Sequence, residues 1–305
     1  MTTFYTSTFV ASNATDAALR ISLGQVKTNL TNSLWVQTAD TGQVDFAAVT
    51  YTATASAVYG YQVYYLNDSL HATFPIYMKI YVWNSSAGSI QILAKFGFAM
   101  DGAGNFTGNT YPASGNGVVM AGGVYTTYAF GEGAGNGVYG CGGNGFSTVC
   151  HMINTSSWTN NRGFFFHLSR EWDDSTGAPT GGNFSYYAKD YMAITYSTFH
   201  YNRTTNTAIT GAAAVAYNPY ERTVSQNAAN TDLIAHYASF PSASTPTFKR
   251  MGSIVGYNAA EMSQGTTFTA QPLTGGSART FFASPVLRSS FNNATANFAM
   301  AFIWE

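Results

Sequence analysis

The sequence predicts a mainly β fold, an antiparallel β-sandwich of jelly-roll-like form with one short amphipathic helix near the N-terminus. Three observations predict it. A single apolar stripe at helical spacing lies near the start. Short segments with period-two alternation then recur almost to the end. Gly, Asn, Asp, Ser and Pro gather between those segments, as turns require. Strands do not alternate with helices, which disfavours a doubly wound sheet. No fixed-period repeat marks a propeller or solenoid.

The helix is expected over about 16–32. Thr15 can cap it, and Asp16 suits the positive end of the helix dipole. Leu19, Leu23, Val26 and Leu30 form one apolar stripe, while Arg20, Gln25, Lys27 and Asn29 fall largely elsewhere. Gly24 weakens the middle. Residues 1–45 are read as an N-terminal segment and 46–305 as the β-sandwich body.

Gly60–Leu66 is dense in Tyr and Val. In Phe74–Trp83, Ile76, Met78, Ile80 and Val82 point one way; Tyr77, Lys79, Tyr81 and Trp83 point the other. Gln91–Met100 puts Ile92, Ala94, Phe96 and Phe98 on one face, and Asn84–Gly88 joins these two strands as a hairpin. Gly163–Trp172 sets Phe164, Phe166, Leu168, Arg170 and Trp172 against Phe165, His167, Ser169 and Glu171. Further strands are expected over Tyr186–Phe199, Leu233–Phe240, Lys249–Tyr257, Arg279–Leu287 and Asn297–Trp304. The last runs to the end of the sequence, so it is expected to be paired rather than frayed.

Between Asp101 and Gly145 the texture changes, with glycine recurring from Gly102 and Gly104 to Gly142, Gly143 and Gly145. Ordering glycine costs entropy, so this stretch is either a mobile surface excursion or tightly packed backbone. Gly123–Phe130 is β-like within it. Gly135–Gly140 matches G-x-G-x-x-G in form. More glycine follows, where a dinucleotide fingerprint requires a helix. No cofactor is assigned to it.

Charge narrows the function classes. Of 305 residues, 13 are Lys or Arg and 14 are Asp or Glu, so 9% are charged and the net charge is −1. Too few cations are present to build a nucleic-acid stripe or a polybasic membrane anchor. No apolar run is long enough to span a bilayer as a helix. Met1–Leu19 has no basic residue and no long apolar core, so no secretory signal is expected. Apolar residues make up 46% and aromatics 16%, which argues for a packed fold. A polar surface built mainly from Ser, Thr, Asn, Gln and Gly resists close approach weakly. It suits a molecule covered by neighbours.

Several clusters invite chemistry, each with a bland counterpart. Cys141 and Cys150 could bridge, but reduced thiols in a Gly-rich region are the simpler reading, and with His151 they match no zinc spacing. Arg170, Glu171, Trp172, Asp173 and Asp174 form the densest charge cluster. Carboxylates beside a Trp could serve glycoside hydrolysis. The competing reading is a strand-end turn over Asp173–Gly177, with Arg170 pairing locally. Asp101–Asn105 offers oxygen ligands loosely like a calcium loop but lacks its terminal glutamate. His71, His151, His167, His200 and His236 are scattered, and no Ser sits in G-x-S-x-G. No catalytic, cofactor-binding or metal-ligating residue is assigned. Most Phe are expected in the core. Exposed Tyr and Trp among Asn, Ser and Gly would suit an adaptable recognition surface.

Three stretches carry a resemblance: Met1-Thr2-Thr3-Phe4-Tyr5-Thr6-Ser7; Trp35-Val36-Gln37-Thr38-Ala39-Asp40-Thr41-Gly42-Gln43-Val44; and Phe164-Phe165-Phe166-His167-Leu168-Ser169-Arg170 with Asp173-Asp174-Ser175-Thr176-Gly177. With the early helix, the β-rich body and the sparse charge, the chain resembles virion structural proteins of tailed bacteriophages. The resemblance implies a non-enzymatic tail, baseplate or fibre subunit, located in the virion and partnered by its own copies and other virion proteins. A capsid decoration or head-fibre protein, and a receptor-binding protein for host-surface glycans, are the alternatives. It transfers no functional residue and implies no cofactor, no nucleic-acid partner and no membrane insertion.

Overall fold

The computed structural model describes residues 3–9, 16–50, 58–86, 89–111, 118–124, 136–153, 162–173, 175–189, 197–202, 207–209, 225–226, 232–241, 246–258, 266–271, 276–283 and 298–304. This chain is mainly β, antiparallel and sandwich-like, as the alternation predicts, with one helix among the described residues. The described strands form three sheets.

Sheet B is a meander of β2 (Trp35–Gln37), β3 (Val58–Leu66), β4 (Tyr77–Ser86), β5 (Ser89–Gly97) and β6 (Val118–Val124). The β4–β5 hairpin closes at Ser86 opposite Ser89. Ile76, Met78, Ile80 and Val82, with Ile92, Ala94 and Phe96, are buried together as the alternation predicts. Phe74, expected to open β4, instead lies in the preceding turn.

Helix α1 (Asp16–Asn32) has the predicted bounds. Its stripe of Leu23, Val26 and Leu30 enters the same core; Thr15 lies outside the described residues. Gly24, weak for a helix, meets Ala47 closely, so the turn after β2 packs against the helix backbone. The helix ends as the Ser33 N–H donates to the carbonyls of Asn29 and Leu30 (3.0 Å each) and Leu34 turns left-handed at φ 69°. Left-handed backbone disfavours a non-glycine residue. Here the chain is held from two sides: Asn67 N–H donates to Leu34 O (2.8 Å), and Ser147 Oγ donates to Ser33 O (2.7 Å).

Sheet A runs β1 (Thr3–Phe9), β7 (Asn136–Gly143), β8 (Phe146–Ile153), β9 (Arg162–Asp173), β10 (Ala178–Lys189), β11 (Ser197–Asn202) and β12 (Thr207–Ile209). The N-terminal strand thus pairs with β7, Thr3 facing Gly142 and Phe9 facing Asn136. Tyr186–Phe199, expected as one strand, is the end of β10 and the start of β11; 190–196 lie outside the described residues. Val149, Leu168, Phe184 and Tyr186 join the core shared with sheet B, where Phe96 meets Tyr186 at 4.7 Å between ring centroids.

Sheet C runs β13 (Ser225–Gln226), β14 (Asp232–Pro241), β15 (Pro246–Asn258), β18 (Phe298–Ile303), β17 (Arg279–Ala283) and β16 (Thr267–Ala270). Phe281, Phe282, Ala301, Phe302 and Ile303 are buried, and Trp304 stacks on Phe282 at 4.9 Å. Sheet C meets sheet A where β15 contacts β9 and β14 contacts β11.

The Gly-rich stretch is of two kinds where it is described: β7 and Gly104 are packed backbone, while Gly102 and Gly108 lie in open, exposed turns. Gly135 lies outside the described residues, and Asn136–Gly140 lies within β7, between β1 and β8, so a strand rather than a helix carries the motif. A Cβ on Gly142 would lie 2.5 Å from Ser33 O, so glycine lets the helix end seat on the sheet.

Candidate functional site

The charged cluster at the end of β9 is dispersed by the fold. Arg170, expected from the sequence to pair locally, pairs instead with a residue 102 positions away. Its Nε donates to Asp68 Oδ2 at 2.6 Å and its terminal nitrogen to Asp68 Oδ1 at 3.0 Å. The physical reason is burial. Arg170 sits in the same strand register as Leu168 and is 1% exposed, and an unpaired guanidinium there would be prohibitive. Asp68 reaches it from the turn between β3 and β4, with a fully buried side chain. Asn144 ties the turn down by accepting from the Ser69 hydroxyl (2.5 Å) and N–H (3.2 Å).

Trp172 points inward, its Nε1 donating to Ser169 Oγ at 3.0 Å, and Arg279 of β17 lies 5.3 Å over its ring. Glu171 Oε2 accepts from Asn183 Nδ2 at 2.7 Å. Asp173 caps the β9–β10 turn as predicted. Its Oδ1 accepts from Ser175 N–H (2.8 Å), Thr176 N–H (2.9 Å) and the Ser175 hydroxyl (2.5 Å). Those donors, the Ser175 hydroxyl foremost, hold its carboxyl at about 2. A general acid at neutral pH needs the opposite shift. Asp174 lies outside the described residues.

The Asp101–Asn105 loop, only loosely like a calcium site in sequence, is bonded by a cation of its own chain. Asp101 Oδ1 accepts from Ala103 N–H (2.7 Å) and Asn105 N–H (2.9 Å), and its Oδ2 from Asn105 Nδ2 (2.9 Å). These bonds depress its pKa, the Asn105 amide most. Asp40 Oδ2 accepts from Gly104 N–H at 3.0 Å, and Thr41 N–H donates to Gly102 O at 3.0 Å. Beneath this clasp Lys79 Nζ donates to Gly104 O at 2.5 Å, 3.7 Å from the Tyr61 ring centroid and 5.0 Å from that of Tyr81. Such an ammonium over aromatic faces is held by the ring quadrupoles. Burial lowers the Lys79 pKa, Lys95 adds to the shift, and Asp101 and Asp40 oppose it. The Tyr61 hydroxyl donates to Thr41 O at 2.8 Å and completes the lock.

Cys141 is a free, fully buried thiol directed at the Ile303 carbonyl of β18, and burial pushes its pKa up. The side chains of Cys150 and His151 lie outside the described residues. His167 is buried and hydrogen-bonded through Nδ1 to Thr148 Oγ1 at 2.8 Å. His71 instead stacks on Tyr65 at 4.1 Å and meets Tyr77 edge-on at 6.2 Å. The other histidine side chains, His200 and His236, lie outside the described residues. Among the described residues no three His, Cys, Asp or Glu gather as a metal would require, and no helix is long and apolar enough to cross a membrane.

The two constellations that stand out, Arg170–Asp68 and Lys79–Tyr61–Gly104, are therefore internal ties. Sequence reasoning missed both partnerships. The available signal was a cation inside an alternating strand: Arg170 shares its register with Phe166 and Leu168, and Lys79 lies between Met78 and Ile80. No protein-family model, curated protein or solved structure matches this chain.

Proposed function

We propose that this chain is a non-enzymatic structural subunit of a bacteriophage particle, a tail, baseplate or fibre component that assembles through its β-rich body. One observation carries the reading: three of the 27 charges are turned inward. Arg170, Asp68 and Lys79 are used up in internal ties, in a chain with only 13 cations and 14 anions. The exterior is poorer by those three than the composition alone implies. A lone domain ordinarily relies on a mixed charged surface to stay apart from its neighbours. A subunit covered by neighbours has no such need. Glu171, Asp173 and Asp101 serve turns and strand contacts, which fits a scaffold. The sequence resemblance supplies the kind of assembly.

Immunogold labelling of native particles tests the reading. Label on the tail in multiple copies is the expected result. Label on the head would reassign the chain to a decoration or head-fibre role, and absence from every particle would overturn the proposal.

A further inference from the structure

We propose that α1 is seated on sheet A through a buried water molecule, bound between the side-chain amide of Asn29 and the hydroxyl of Ser33. The site is internal and stands whether or not the chain assembles.

The first support is a pair of polar atoms left over at the helix end. Asn29 and Ser33 are both 0% exposed. Asn29 Nδ2 and Ser33 Oγ nonetheless have no hydrogen-bond partner among the described residues. Buried polar groups in native proteins are paired, with protein or with ordered water, because an unmade bond there is costly. The two residues lie one turn apart on one flank of α1, which sets their Cβ atoms about 5–6 Å apart. One small molecule can reach both.

The second support is that the surrounding groups are committed elsewhere. Asn29 Oδ1 accepts from Gln25 Nε2 at 2.9 Å, so Nδ2 is the free end of the amide. Ser147 Oγ accepts from Trp35 Nε1 at 2.8 Å and donates to Ser33 O, so its one proton is spent. Gly142 meets the helix end at Ser33 O, and Gly140 shares that face at period two. Glycine sends up no side chain, and the backbone of β7 is consumed in ladders with β1 and β8. Opposite Gly140 in β8 stands Val149, which is buried and apolar.

The occupant follows from the chemistry. It must accept from an amide N–H and bond a hydroxyl, out of reach of solvent. An anion would need a neutralising partner, and β1, β7 and β8 contain no Lys or Arg. A cation is repelled by the amide N–H. Water is neutral, donates as well as accepts, and is held by two or more polar partners of this kind.

Nuclear magnetic resonance of the full chain tests the site. The wild type should show a cross-peak from long-lived water to the Asn29 side-chain amide. Ser33→Ala removes one partner, and the cross-peak should be lost. Asn29→Leu fills the site with methyl groups, and water-oxygen relaxation dispersion should then count one long-lived water fewer. No cross-peak in the wild type, or a cross-peak and count unchanged in the variants, overturns the proposal. So does a crystal structure in which Asn29 bonds Ser33 directly, or in which Thr3 or Tyr5 of β1 bonds either atom in place of water.

Discussion

Arg170 and Asp68 lie 102 residues apart in sequence yet form a two-bond fork sealed from solvent. The tie fastens the turn between β3 and β4 onto sheet A. Removing one partner leaves the other charge buried alone. Asp68→Ala should therefore lower stability by about 3–5 kcal/mol, and the double change Asp68→Leu/Arg170→Met should be milder than either single change. Urea unfolding reads both. A single-variant loss below about 1 kcal/mol, the range of exposed pairs, would show the fork to be ornamental.

The same turn carries a pH dependence near neutrality. His71 has its pKa lowered from the usual 6.5, first by burial; Asp68 opposes the shift and Arg170 reinforces it. The folded state thus favours neutral imidazole. Its stabilising contribution is present above the unfolded value and is lost as pH falls through the lowered one. The urea midpoint should decline as pH falls below the unfolded value of about 6.5, and His71→Phe should flatten that limb while keeping the stack on Tyr65. An unchanged limb in the variant would place the titration elsewhere.

Two glycines should respond differently to alanine. At Gly142 the added methyl meets the Ser33 carbonyl at 2.5 Å, so Gly142→Ala should cost about 2–3 kcal/mol and loosen the end of α1. At Gly102 nothing lies within 4 Å, but φ is 79°, so Gly102→Ala should cost about 1–2 kcal/mol with no effect on the helix. Hydrogen exchange at Asn29–Ser33 separates the two. Equal exchange there in both variants would remove the seating role of Gly142.

Lys79→Met keeps the aliphatic stem and removes the ammonium from the Tyr61 face and the Gly104 carbonyl. A loss of about 1–2 kcal/mol is expected, with faster exchange of the Gly104 amide, whose partner is Asp40. Unaltered exchange would mean that the loops hold without the cation.

The sequence carried the fold further than it carried the ties. Helix α1 and the faces of β4, β5 and β9 were readable because periodicity is a local property. Strand β7 was hidden because glycine blanks the alternation, and it is glycine-rich for a tertiary reason, the helix end resting on Gly142. The start of β10 was hidden in the same way, as Gly181 makes room for the Phe74 ring. Nothing in local pattern joins position 68 to position 170. The cation in an apolar register announced that a partner was needed without saying which.

The pairing of β1 with β7 sets an order of events. Thr3 waits for Gly142, so every strand of sheet B is synthesised before the first strand finds its neighbour. Sheet B, built from sequential neighbours, can zip up by itself, whereas closing sheet A means cinching a long loop around it, a slow entropic step. Refolding should therefore be biphasic, and deletion of residues 3–9 should abolish the late phase and leave the early one intact.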